Sequence, residues 1–329
     1  MKIRINKYDN LRGLAIFLIV LWHLDTISAI DPFIRRLIIL TALPLFFFVS
    51  GYFSKIGPDE PLKAFRRLVI PYVLFIFITC VFRFFLFGDP IIVKDMFVSQ
   101  NSIFWFLIAL FLMKIMLPIV DNFKYPMIIS IICALLIGFI DINPGVLGIT
   151  RGVAYFPIFL LGFYYNDYKN KLESDYGRYV ELFKKYNIII VIFALLFVFA
   201  VVYMIPYTGP FLFKNAYNGR SPYYLLLRLL IIISEFIVVL LFNRFMTNRE
   251  CILTLWGVNS LTVYILHYYV FLSLESVLNG FSNSKMIFIP FVLILAFCVT
   301  FILSRNIFTV YLNKFTDFFY NLIVKTKEI

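Results

Sequence analysis

The sequence predicts an all-α, polytopic membrane bundle of about ten transmembrane helices, both termini in the cytosol. Three observations carry that expectation. Hydrophobic residues make up 62% of the 329-residue chain and charged residues only 15%, against about half and about a quarter in an ordinary soluble domain. Apolar runs of about 20 residues recur from end to end, each long enough to cross the ~30 Å hydrocarbon core as a helix. The 30 Lys and Arg sit almost entirely at the ends of those runs, where they report orientation. The net charge of +12 therefore does not imply a nucleic-acid partner, which needs its basic residues on one soluble face.

Bounding the runs by Pro, Gly, Asn or charge gives helices over 11–30, 36–53, 68–87, 102–120, 126–140, 151–165, 187–206, 222–243, 257–279 and 286–304. The first follows a basic leader but carries Trp22 and His23 in its core and no small-x-small cleavage site, so it is a retained helix and not a secretory signal. The second ends in Ser50-Gly51, a small pair suited to close helix packing. The runs at 126–140 and 151–165 hold about 15 residues each, short for a span, so they are tilted or joined by a partly buried loop over 141–150. The segment 166–187 mixes charges with Tyr, Leu and Phe and reads as an interfacial helix. In the eighth run Arg228 and Glu235 lie seven apart on one face, the spacing of a structural bridge. Residues 1–304 form one membrane domain. Residues 305–329 form a cytosolic amphipathic tail, with Phe308, Tyr311, Phe315, Phe318, Phe319 and Leu322 as a stripe along the inner membrane surface.

Orientation follows from the connections. With the N-terminus inside, the inner segments hold 20 basic residues and the outer segments 7, and cytoplasmic loops carry the excess. The expected location is the cytoplasmic membrane, crossed many times. Cys80, Cys133, Cys251 and Cys298 include no close pair, so neither a structural disulfide nor a metal site is expected. No Gly-rich phosphate loop, dinucleotide fingerprint or internal repeat is present, which excludes a soluble nucleotide-driven engine.

Ionisable groups in hydrocarbon are costly and mark functional paths. The chain has two histidines, His23 and His267, both near the middle of expected helices; histidine titrates near neutral pH and suits proton transfer. Arg12 precedes His23 by eleven residues, three turns plus roughly 20°, so the two project from one helix face about 16 Å apart. Asp9, one turn before Arg12, is placed to hold its guanidinium. Glu275 falls two turns beyond His267 on the same face, Asp25 lies near the outer boundary at headgroup level, and Ser50, Trp105 and Tyr264 are supporting candidates.

These residues resemble a known family. The opening YDNLRGLAIFLIVLWH is similar to the first helix of the membrane acyltransferase family called acyltransferase three, whose marker is an Arg followed after ten residues by a His. PLFFFVSGYF (44–53), FRRLVIPYVLF (65–75), WFLIALFL (105–112), FPIFLLGFYY (156–165) and NSLTVYILHYY (259–269) extend the likeness in order along nearly the whole chain. The absence of an appended outer domain resembles the short members similar to fucose 4-O-acetylases. The resemblance implies an O-acyltransferase, most often an O-acetyltransferase, that moves an acyl group from cytosolic acyl-CoA to a hydroxyl of a cell-surface glycan or lipid-linked sugar. It implies catalytic roles for Arg12, His23 and His267. It also implies acyl-CoA, usually acetyl-CoA, as co-substrate with no tightly bound cofactor. Polyanionic CoA would dock on Arg12, Arg66 and Arg67 at the cytosolic mouth. His23 would then either deprotonate the acceptor or carry the acyl group itself. Membrane lipids surround the chain, and a homo-oligomer is compatible with it. A transporter or flippase for a lipid-linked sugar is the alternative from another class, since buried Arg, Glu and His would also serve a translocation path. A glycan polymerase or a sensory scaffold fits less well: the longest outer connection, 207–221, is short, and a scaffold leaves the histidines without work.

Overall fold

In the computed structural model, residues 5–25, 29–90, 103–140, 148–175, 187–213, 216–217, 222–280 and 285–324 are described. Among them every regular element is a helix: α1 (Asn6–Leu24), α2 (Pro32–Tyr52), α3 (Glu60–Phe87), α4 (Trp105–Val120), α5 (Pro126–Phe139), α6 (Ile149–Phe163), α7 (Tyr165–Asp175), α8 (Asn187–Met204), α9 (Pro222–Phe245), α10 (Ile252–Val258), α11 (Ser260–Asn279), α12 (Lys285–Leu303) and α13 (Asn306–Ile323), with one 3₁₀ turn at Gly209–Leu212. All ten expected apolar runs are helical. By length and composition, however, five helices (α2, α3, α8, α9, α12) are fit to cross a bilayer, or six if the bent α10–α11 pair forms one span. The others fall short for visible reasons: α4, α5 and α6 are only 10–17 residues long, and α1 carries Lys7, Asp9 and Arg12 in its first two turns. The 141–147 part of the expected buried loop and half of the expected interfacial segment, 176–186, lie outside the described residues.

The helix ends follow local chemistry. Asp31 caps α2, its carboxylate accepting from Phe33 N at 2.8 Å with Pro32 at the first helical position. α3 starts eight residues earlier than its apolar run and is continuous through a π-turn at Phe65–Val69. The expected helix 257–279 is instead two helices, α10 and α11, meeting at 84°. Asn259 occupies the corner, donating to Leu255 O (3.2 Å) and Asn306 Oδ1 (3.2 Å) and accepting from the Thr309 hydroxyl (2.7 Å).

Helices in lipid gain no hydrophobic driving force from meeting each other, so close backbone approach carries the packing. α1 is central and packs on α2, α10, α11 and α12. It meets α10 through two reciprocal glycines: a Cβ on Gly13 would lie 2.0 Å from Leu253 O, and one on Gly257 would lie 1.8 Å from Asp9 O. α2 and α6 repeat the device, with Gly51 against Phe159 O (1.9 Å) and Gly162 against Phe48 O (2.0 Å). Asn10 fastens the preceding connection to α1 with its whole amide. Its Nδ2 donates to Thr247 O (2.9 Å) and Arg249 O (3.0 Å), and its Oδ1 accepts from the Thr254 hydroxyl (2.6 Å) and the Cys251 thiol (3.5 Å). Large apolar side chains point away from the protein on α8 and α12, where Phe193 and Met286 are 68% and 91% exposed; these are lipid-facing surfaces.

α13 lies across α3 and α11. Leu312, Thr316 and Tyr320 face the protein, while Tyr311, Phe315, Phe318 and Leu322 of the expected stripe are exposed, as an interfacial helix requires. Asp25 does not sit among headgroups: it is buried, pairs with Arg35 and accepts from Ala29 N at 2.8 Å. Burying a carboxylate is tolerable only with such partners.

Candidate active site

Where α1 and α3 begin and α2 ends, the bundle opens into a cavity of about 430 Å³; this is called the near end below. Five cations line it: Arg12 from α1, Lys55 from the turn after α2, Lys63 and Arg67 from α3, and Lys114 from α4. The one carboxylate on its wall, Glu60, is taken by Lys63 at 2.9 Å, so the cavity holds a surplus of four positive charges. Ser50 also lines it, and the Lys114 ammonium donates to the Ser54 hydroxyl at 2.7 Å, which in turn donates to Ser50 O at 2.7 Å. The Arg12 guanidinium stands 5.1 Å over the Phe53 ring, a contact that holds its planar fork in the opening.

Two of the expected CoA-binding arginines, Arg12 and Arg67, face this cavity; Arg66 does not. The Arg66 guanidinium donates to Asp317 of α13 at 2.8 Å and lies 5.2 Å over the Tyr320 ring. Consecutive residues point about 100° apart on a helix, and the π-turn through 65–69 sets which of the pair turns inward. Sequence reasoning missed Lys55, Lys63 and Lys114. The signal for Lys114 was present, since it stands alone in an apolar run where a cation is costly. Lys55 and Lys63 read as ordinary connection charges until the turn folds over the opening.

The same cavity has apolar walls as well, from Phe46, Leu107 and Leu110, with Phe106 and Tyr264 among its lining residues. The two rings are 5.6 Å apart, and the Tyr264 hydroxyl donates to Ile103 O. Behind Tyr264, with ring centroids 6.1 Å away, is His267. His267 is buried, its Nδ1 donates to Val263 O at 3.0 Å, and its Nε2 has no partner among the described residues. A carbonyl can only accept, so the proton is on Nδ1 and Nε2 presents a lone pair. The ring of His23 lies 5.3 Å from that of His267; His23 is half-buried against Trp22 and Phe271, and His267 is buried beside Tyr264.

The fold thus brings His23 and His267 together from opposite ends of the chain. Arg12 and His23 share α1, and the cavity that Arg12 lines is also lined by Tyr264, one turn of α11 before His267. Asp9 is buried against the backbone at Gly257. Trp105 lies outside the cavity, beneath the Arg151 guanidinium at 4.7 Å. Glu275 is two turns past His267 and makes no bond to it among the described residues. Arg228 and Glu235 do not form the expected bridge; Arg228 donates to Ala134 O at 3.1 Å instead.

The near end thus combines a surplus of cations with apolar walls, and Tyr264 on that wall lies one turn of α11 before His267 and its neighbour His23. The sequence matches the Acyltransferase domain family, Acyl_transf_3, over residues 5–305. The chain belongs to that family. It is a membrane acyltransferase, and the matched region takes in α1 to α12, with both histidines and all five cavity cations. Among curated proteins and among solved structures, none matches.

Proposed function

We propose that this acyltransferase takes an acyl group, acetyl above all, from cytosolic acyl-CoA bound in the near-end cavity and places it on a hydroxyl of a cell-surface glycan or lipid-linked sugar. The observation that carries the donor is the charge match: a surplus of four cations faces CoA, whose diphosphate and phosphomonoester together hold about four negative charges at neutral pH. The excess of basic residues in the connections at that end supports a cytosolic opening in the cytoplasmic membrane.

The chemistry then belongs to the imidazole pair. CoA phosphates rest on Arg12, Arg67, Lys55, Lys63 and Lys114, and the pantetheine arm extends along Leu107 and Leu110 towards Tyr264. Displacement of the Tyr264 ring lets the thioester pass to the histidines. The lone pair of a neutral imidazole takes the acceptor hydroxyl proton as that oxygen attacks the thioester carbonyl. The carbon–sulfur bond breaks, and the proton leaves with the thiolate. General-base help of this kind is worth about 10²–10⁴ in rate. The test is purified protein in lipid nanodiscs with acyl-CoA: ester on the glycan, read as the mass shift of the acyl group, must require the wild-type protein and vanish in His23→Ala and His267→Ala. Full activity in both variants overturns the assignment.

A further inference from the structure

One buried group has no use in the donor half of this reaction. Glu235 lies in the middle of α9 with no exposed surface, and neither carboxyl oxygen has a hydrogen-bond partner among the described residues. Buried polar groups are almost always satisfied, and leaving one without a partner in an apolar interior costs several kcal/mol. Such an exception marks a place where a ligand supplies the missing bonds.

The surroundings restrict what that ligand is. Arg228, two turns earlier on α9, and Tyr155 of α6 are near enough to interact electrostatically with Glu235, yet neither donates to it. Arg228 is drawn to Ala134 O and lies 5.1 Å over Phe213 and 4.9 Å over Tyr217. The Tyr155 hydroxyl donates to Phe211 O at 2.8 Å. Arg151, one turn before Tyr155, interacts with both Tyr155 and Tyr264. Ring contacts join this group to the histidine end: Tyr264 to Phe106 (5.6 Å), Phe106 to Trp105 (6.2 Å), Trp105 to Tyr155 (6.3 Å) and Tyr155 to Phe213 (4.9 Å), with Arg151 over Trp105 and Arg228 over Phe213, a seam that leads from beside His267 towards Glu235. Two buried arginines disfavour a cationic ligand there, and the carboxyl disfavours an anionic one. A neutral molecule rich in hydroxyls meets both constraints: it donates to carboxyl oxygens, accepts from guanidinium groups, and brings no charge of its own into low dielectric.

We propose that this seam is the acceptor subsite, in which adjacent hydroxyls of a sugar donate to the two oxygens of Glu235 and so fix which hydroxyl reaches the histidines. The proposal rests on the acyl-transfer function above and adds its acceptor side.

The experiment replaces Glu235 by Gln, an isosteric change that puts donors where acceptors are needed, and by Asp, which keeps the carboxyl. In the source cells, ester on the surface glycan is measured by mass spectrometry; on their membranes, CoA affinity is measured by competition. Glu235→Gln is expected to lower esterification at least tenfold with CoA affinity within twofold of wild type, and Glu235→Asp to fall between the two. Esterification within twofold of wild type in Glu235→Gln overturns the subsite. So does a joint loss of esterification and CoA affinity, which is the mark of a packing role. If the wild-type protein binds no CoA and its removal leaves the glycan ester unchanged, the acyl-transfer function itself fails and the subsite with it.

Discussion

The two ends of the bundle use arginine and lysine in opposite ways. Beyond the histidines, three arginines are engaged with protein. Arg36 caps the end of α8 through Val202 O (3.1 Å) and Pro206 O (2.8 Å), Arg35 pairs with Asp25, and Arg228 holds Ala134 O. At the near end, five cations and a single carboxylate, Glu60, line one cavity. Positive charge that closes on the protein's own carbonyls organises the fold; positive charge that converges on a void waits for a ligand. The difference separates residues that composition alone makes identical.

Substitution can break that contrast, and the largest effect belongs between the two ends. His267→Ala and His23→Ala are each expected to slow acyl transfer by about 10²–10⁴ while CoA affinity stays within a few-fold, measured as initial rates beside equilibrium binding. Equal loss of both would make the histidines part of donor binding. Next, Arg12→Ala should weaken CoA binding about 10- to 100-fold, the size of a lost charge-assisted contact, and raising salt should weaken wild-type binding in the same direction. Arg36→Ala reverses the pattern. It should lower thermal stability in detergent by about 1–3 kcal/mol with CoA affinity unchanged, because what it leaves behind is two helix-end carbonyls. Gly257→Ala belongs to the same class: its new methyl overlaps Asp9 O and forces α10 off α1, at a cost of about 1–3 kcal/mol, readable as a lower unfolding temperature. The smallest effect sharpens the comparison most. Arg66→Ala, next in sequence to a cavity residue but bonded to Asp317, should leave CoA affinity within twofold, whereas Arg67→Ala should not.

Most of the helices are legible because they are written in long apolar runs, and composition decides a membrane helix almost unaided. Their ends are not. The beginning of α1 depends on Asn10 finding four partners in a connection some 240 residues away, and the corner at Asn259 is invisible in hydropathy because apolar residues continue through it. His23, His267 and Arg12 stand out in the sequence because charge and imidazole in hydrocarbon are conspicuous; the fold sets the two imidazole rings 5.3 Å apart and puts Arg12 on the near-end cavity. The near-end cavity was only partly readable. Arg66 and Arg67 are chemically alike, and the choice between them is made by a π-turn whose register no residue type announces. Lys55 and Lys63 acquire their place only when the turn after α2 meets the start of α3.

The Tyr264 ring belongs to two neighbourhoods at once: it lines the near-end cavity with Phe106, 5.6 Å away, and it meets His267 at 6.1 Å. Under the proposed function this one phenol works as a turnstile, since a group carried from that cavity to the imidazoles has to pass its ring.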